Sequence, residues 1–243
     1  MEIENQNNQT KKDLLLPASI LVAAILIAGS VIYSNGVKNY KPTQQEAKLK
    51  QDSQTEEIKI TANDVILGNP DAKVTIVEFG DFQCPYCAKF FKETEPLIRK
   101  NYVETGKAKM VFKPLAFLGE ESINAALAAI CAKDQGKFWD FHDALYNAES
   151  NEMAKGIQSE NNGNLNPDLF KKIASNLKMD VNQFISCFDS KKYENVLSEN
   201  SQAAETAMNG RVSTPTIFIN GQMIQGAQPY GVFQPVIDAF FGQ

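Results

Sequence analysis

Val74-Thr75-Ile76-Val77-Glu78-Phe79 leads through Gly80-Asp81 into Phe82-Gln83-Cys84-Pro85-Tyr86-Cys87, and this stretch decides the fold. The first six residues are β-branched or apolar apart from Glu78, the pattern of a buried strand. Beyond the cysteines, Cys87, Phe90, Phe91, Thr94, Leu97, Ile98 and Tyr102 recur at the spacing of one helix face. The two cysteines therefore sit where a central strand hands over to a helix N-terminus, with Pro85 suited to the first turn. Unpaired N–H groups and the positive end of the helix dipole favour a thiolate there, below the usual thiol pKa of about 8.5. The spacing casts Cys84 as the attacking thiolate, facing solvent at the helix tip, and Cys87 as the resolving thiol.

A Cys-x-x-Cys pair also occurs in structural disulfides and as half of a zinc site. Zinc needs a second such pair or nearby histidines. Here His142 is the only histidine and no second pair exists, so the expectation is redox chemistry with no metal.

At 243 residues, 43% hydrophobic and 22% charged, the chain is long enough for one good core with additions. Its net charge of −5 argues against nucleic acid or anionic lipid as a partner. Residues 1–13 form a polar tail, expected to be cytoplasmic. Leu14 to Tyr33 then runs without a charge, and twenty helical residues at about 1.5 Å each cross a hydrocarbon core of about 30 Å. Signal peptides carry shorter apolar regions, of about 7–15 residues, so the stretch reads as an uncleaved anchor. Lys38, Lys41, Lys48 and Lys50 follow it against Lys11 and Lys12 before it. Large domains translocate regardless of such charges, so redox chemistry sets the orientation, with the catalytic domain outside the cytoplasm. Residues 34–57 are polar and read as a tether, and the folded domain begins at residue 58.

Within that domain an edge strand precedes the turn at Gly68-Asn69-Pro70-Asp71, and Lys107 to Lys113 reads as a second core strand. Helical patterning follows over Glu121–Gln135, Lys137–Asn147, Pro167–Leu177, Val181–Asp189 and Lys191–Met208. Strand character returns at Thr216-Ile217-Phe218-Ile219. Asn220-Gly221 marks a hairpin, with Gln222-Met223-Ile224 pairing back. A last amphipathic helix carries Phe233, Val236, Ile237 and Phe240.

Strand–helix–strand, a long helical block, then strand–strand–helix resembles an α/β thioredoxin fold with a helical insertion, about residues 120–209. With Cys-Pro-Tyr-Cys at the first strand–helix junction, the chain resembles the DsbA-like thiol–disulfide oxidoreductases from about Asp64 to Phe241. The stretches Glu78–Cys87, Gln135–Asp143 and Val212-Ser213-Thr214-Pro215-Thr216 carry the likeness.

That resemblance implies a cis Thr214–Pro215 bond lying against the redox-active disulfide Cys84–Cys87, with the Thr214 backbone free to pair with an extended client. It implies that Glu78 is a buried acid beneath the cysteines, able to exchange a proton with Cys87; Lys113, near the end of the next strand, is placed to partner it. Cys131 and Cys187, by themselves readable as two buried thiols, match a second, structural disulfide of the helical domain. His142 and Trp139 match a stretch that packs the insertion on the core. Phe82, Phe117 and Leu118 are expected to border the site and offer apolar surface to clients.

The same likeness implies catalysis without metal or organic cofactor. The partners it implies are reduced or misoxidised exported proteins. For resetting, it implies a membrane quinone-linked thiol oxidase, DsbB-like or vitamin-K-epoxide-reductase-like. Strong oxidants of the family carry histidine between the cysteines; Tyr86 here points to a milder oxidase, with isomerase or reductase as the alternative. A non-catalytic membrane-tethered chaperone is the remaining option.

Overall fold

The computed structural model describes residues 58–242. The expected tail, anchor and tether lie outside the described residues, among which no helix is long and apolar enough to cross a membrane.

Strands β1 (Ile66–Gly68), β2 (Val74–Gly80), β3 (Ala108–Pro114), β4 (Thr216–Ile219) and β5 (Gln222–Gln225) form one sheet in the order β1-β3-β2-β4-β5. β2 runs parallel to β3, and the other pairings are antiparallel. The hairpin between β4 and β5 turns on Asn220 and Gly221, both at positive φ (45° and 84°), as its tight two-residue loop requires.

β2 is central, and its alternation assigns each residue a face. Val74 and Ile76 join the larger apolar cluster, with Phe90 and Phe91 of α1 (Pro85–Glu93) and Phe233 and Ile237 of α8 (Tyr230–Asp238). Val77 and Phe79 face the other way, onto Ala204 of α7 (Glu194–Ala207) and Met208 just beyond it. Helices on both faces cover the sheet, so β2 is buried almost throughout.

Between β3 and β4 lies the helical insertion: α3 (Glu120–Ala132), α4 (Phe138–Ala154), α5 (Pro167–Asn176), α6 (Val181–Asp189) and α7. α4 continues seven residues past Asn147, where its sequence pattern had faded. Cys131 of α3 is bonded to Cys187 of α6. Trp139 and His142 lie in the core: the indole Nε1 donates to the Val65 carbonyl at 3.1 Å, and the imidazole packs 4.6 Å from the Phe112 ring.

The helix after the cysteines does not run unbroken to Tyr102. It stops at Thr94 and resumes as α2 (Glu95–Ile98), with Pro96 in its first turn, before one π-helical turn over Arg99–Val103. Proline supplies no N–H and constrains the residue before it, so the helical phase resets. Leu97, expected on the buried face, is 41% exposed as a result, while Glu95 is buried.

Candidate active site

Cys84 is the N-cap of α1, with extended backbone angles (φ −72°, ψ 118°), and Pro85 opens the first turn. The Cys84 amide donates to the Asp81 carbonyl at 3.0 Å, and the Cys84 carbonyl accepts from Ala88. The Tyr86 and Cys87 amides, unpaired at a helix start, are left to serve the sulfur.

Cys84 and Cys87 are both free thiols in this structure. A hydrogen bond from the Cys87 thiol is the largest influence lowering the Cys84 pKa, to about 6. The Thr214 side chain and the Cys87 and Tyr86 amides act in the same direction, and together these outweigh desolvation. Burial pushes the Cys87 thiol well above its ordinary value, and its bond to Cys84 raises it further. One sulfur is thus prepared as a thiolate and the other held as a thiol.

Cys84 does not face open solvent as its helix-tip position suggested; it is 6% exposed. The Thr214–Pro215 peptide, which is cis, lies over it, and the Cys84 Sγ is 3.6 Å from the Thr214 carbonyl oxygen. Tyr86 is the exposed member of the motif, at 64%.

Glu78 projects from β2 on the same face as Val74 and Ile76, and is completely buried. Neither carboxyl oxygen has a hydrogen-bond partner among the described residues. Desolvation, and then the nearby Glu95, raise its pKa well above the carboxylate range, with the Cys84 charge adding to the effect. Lys113 is not its partner. Glu78 sits in register with Phe112, so Lys113 projects from the opposite face of the sheet. There it reaches both carboxylate oxygens of Asp64, at 2.8 and 2.7 Å.

Behind Glu78 lies a charged group that the sequence patterns did not mark. Arg99 pairs with the buried Glu95 and grips Asp143 at 2.8 and 2.9 Å, while His142 Nδ1 lies 2.9 Å from Asp143. Glu95, His142 and Asp143 bring ligand-type atoms within 4.8 Å of one another, and the cation paired with their carboxylates is the Arg99 guanidinium.

Phe82, expected at the apolar border, is wholly buried among the rings of Tyr146 (5.0 Å), Phe112 (5.2 Å) and His142 (5.7 Å). It supplies core rather than surface. Phe117 is exposed and Leu118 half-buried. Asp81, Gln83 and Ser122, which no sequence pattern singled out, form a buried hydrogen-bonded group beside the catalytic turn. Their advance signal is an acid three residues before Cys84, just past the buried strand.

A thiolate-prone sulfur beside a thiol that burial keeps protonated, above a buried acid whose pKa is raised, suits thiol–disulfide exchange. The comparisons agree. The family model described as Thioredoxin matches residues 60–239. Disulfide bond formation protein D of Bacillus subtilis (strain 168) is 30% identical over 175 residues, covering 71% of this chain and 75% of that protein. The crystal structure of oxidised BdbD from Bacillus subtilis matches with a TM-score of 0.64 at 28% identity, over 74% of this chain and 94% of that one. Wolbachia pipientis alpha-DsbA1 matches with a TM-score of 0.63 at 26% identity, over 77% and 96% of the two chains. The chain belongs to the thioredoxin family, as a DsbA-like protein-disulfide oxidoreductase.

Proposed function

We propose that this enzyme is a membrane-anchored oxidase that introduces disulfides into exported proteins, with Cys84 as the exchanging sulfur. A client thiolate attacks Cys84 Sγ of the oxidised pair. The client–Cys84 bond forms, the Cys84–Cys87 bond breaks, and Cys87 leaves as a thiolate. Glu78, whose pKa burial raises, gives that sulfur its proton. A second client thiolate then attacks the client sulfur of the mixed disulfide. The client disulfide forms and Cys84 departs as a thiolate, so two electrons have passed to the enzyme. Thr214 and Pro215 flank the extended client, and Pro85 and Tyr86 set the turn between the sulfurs.

The lowered Cys84 pKa carries the direction of this reading. Stabilising the thiolate stabilises the reduced enzyme, which makes the oxidised form the stronger oxidant. The Cys131–Cys187 bond supports an oxidising compartment, and the uncharged run Leu14–Tyr33 supports the anchor. A membrane quinone-linked thiol oxidase, DsbB-like or vitamin-K-epoxide-reductase-like, would take the electrons onward.

Equilibration of the Cys84/Cys87 pair with glutathione tests the direction. The expected potential lies between about −270 and about −120 mV, the values for thioredoxin and DsbA. A potential at or below that of thioredoxin would sink the oxidase assignment. Protease added to intact cells should digest the domain; full protection would refute the outward orientation.

A further inference from the structure

We propose that Asp81 is a positioning residue for client handling, its buried carboxylate holding the exposed Phe117 edge in register with the Cys84 sulfur. The inference rests on the client-oxidation reading above.

Asp81 is completely buried, yet its two oxygens accept four hydrogen bonds. Oδ1 accepts from the Gln83 amide at 2.9 Å and the Ser122 hydroxyl at 2.6 Å. Oδ2 accepts from the Phe117 and Leu118 amides, at 3.2 and 3.4 Å. An isolated carboxylate would be strongly disfavoured in such a place, and four donors fill its acceptor sites. The donors come from the catalytic turn, the start of α3 and the loop after β3. One side chain therefore ties these three segments together.

A second set of bonds holds the same edge from its other side. Asn161 Nδ2 donates to the Leu118 carbonyl at 3.0 Å, and the Asn161 amide donates to Gln83 Oε1 at 2.5 Å. Gln83 Nε2 in turn donates to Ser122 Oγ at 2.8 Å, which closes the ring beside Cys84. Gly119, at φ +128°, lets the strands of this ring meet: a Cβ there would lie 2.5 Å from Asn161 Oδ1. The Leu118 backbone is thus held at its N–H by Asp81 and at its carbonyl by Asn161.

None of the four side-chain bonds goes to a cysteine, so the Asp81 side chain bears on exchange by where it holds this edge. A small dithiol needs only access to Cys84. In the proposed arrangement an extended protein client lies against the Phe117 edge and Thr214 while its thiolate approaches the sulfur in line. Misplacing that edge penalises the second case more than the first.

The test compares kcat/KM of the oxidised enzyme for a reduced protein client and for dithiothreitol. Asp81→Asn keeps the volume but, in either orientation, turns an NH2 group toward at least one backbone N–H. The client-to-dithiothreitol ratio should fall about fivefold or more, mainly through KM for the client. A ratio equal to wild type, or a loss shared equally by both substrates, overturns the proposal. Asn161→Ala, at an exposed position, releases the edge without touching the carboxylate and should lower the same ratio. If Asp81→Asn does not fold, an unchanged ratio in Asn161→Ala overturns the proposal by itself. A wild-type enzyme unable to oxidise the client would instead refute the oxidase reading.

Discussion

Glu78 and Lys113 stand on adjacent central strands and project from opposite faces of the sheet. Lys113 spends its charge on Asp64. Among the described residues Glu78 has no ion-pair partner of its own, and its acidic neighbour, Glu95, shares Arg99 with Asp143. Burial thus favours the protonated form of Glu78, the form that the proposed exchange draws on for Cys87.

Replacing Glu78 by Gln should slow release of the mixed disulfide by Cys87, the reverse of the step in which Glu78 protonates that sulfur, by about a hundredfold, the lower end of general acid–base contributions. The loss should be seen in the pH profile of single-turnover release and not in Cys84 alkylation. The folded pKa is raised, so the contribution of Glu78 to stability is complete at low pH and lost as pH rises. Glu78→Gln should therefore be the more stable protein at alkaline pH. An unaltered release profile would remove Glu78 from the mechanism.

The rate of Cys84 alkylation by iodoacetamide in the reduced protein should be half-maximal at about pH 6. Cys87→Ala removes the main hydrogen bond to the thiolate and should move that midpoint toward the ordinary value of about 8.5. This folded pKa is depressed, so the thiolate's contribution to reduced-state stability is present at high pH. It is lost as pH falls through about 6. A wild-type midpoint at the ordinary thiol value would contradict the site geometry.

Glu149 is buried on α4, and desolvation raises its pKa from 4.5 to about 7, with Glu121 and Glu152 adding to the rise. Its contribution to stability is complete below pH 4.5 and lost as pH climbs through about 7. Glu149→Gln retains an acceptor for Asn164 Nδ2 and should flatten that decline. Urea midpoints measured across the two values check this; identical slopes in wild type and variant would refute it.

The Cys131–Cys187 bond closes a loop with a sequence separation of 56. The chain-entropy model gives about 4 kcal/mol for a loop of that size. The Cys131→Ser/Cys187→Ser double variant should lose stability of that order in urea while its Cys84/Cys87 pair exchanges normally. Loss of exchange in a folded double variant would show that this disulfide does more than brace the insertion.

Local patterns made much of this protein legible. The apolar run of β2, the proline after Cys84, the helical periodicity of the insertion and the Asn220-Gly221 turn are each encoded by neighbours in the chain. Backbone preference acts over a few residues, so element types and the strand–helix position of the cysteines could be read directly. The resemblance added the expected Thr214–Pro215 and Cys131–Cys187 relationships, which join residues far apart in sequence.

Tertiary structure decided what depends on register and enclosure. Strand parity sent Lys113 to Asp64, and the helix break before Pro96 turned Leu97 outward and Glu95 inward. The cis Thr214–Pro215 segment covered Cys84, and the Cys87 thiol joined the helix-end amides in stabilising its thiolate. Asp81 gained its four donors only when three separate segments met around it. Charge and hydrogen bonding act through space over a few ångströms. Which atoms come that close is set by how the elements pack, which no local stretch of sequence contains.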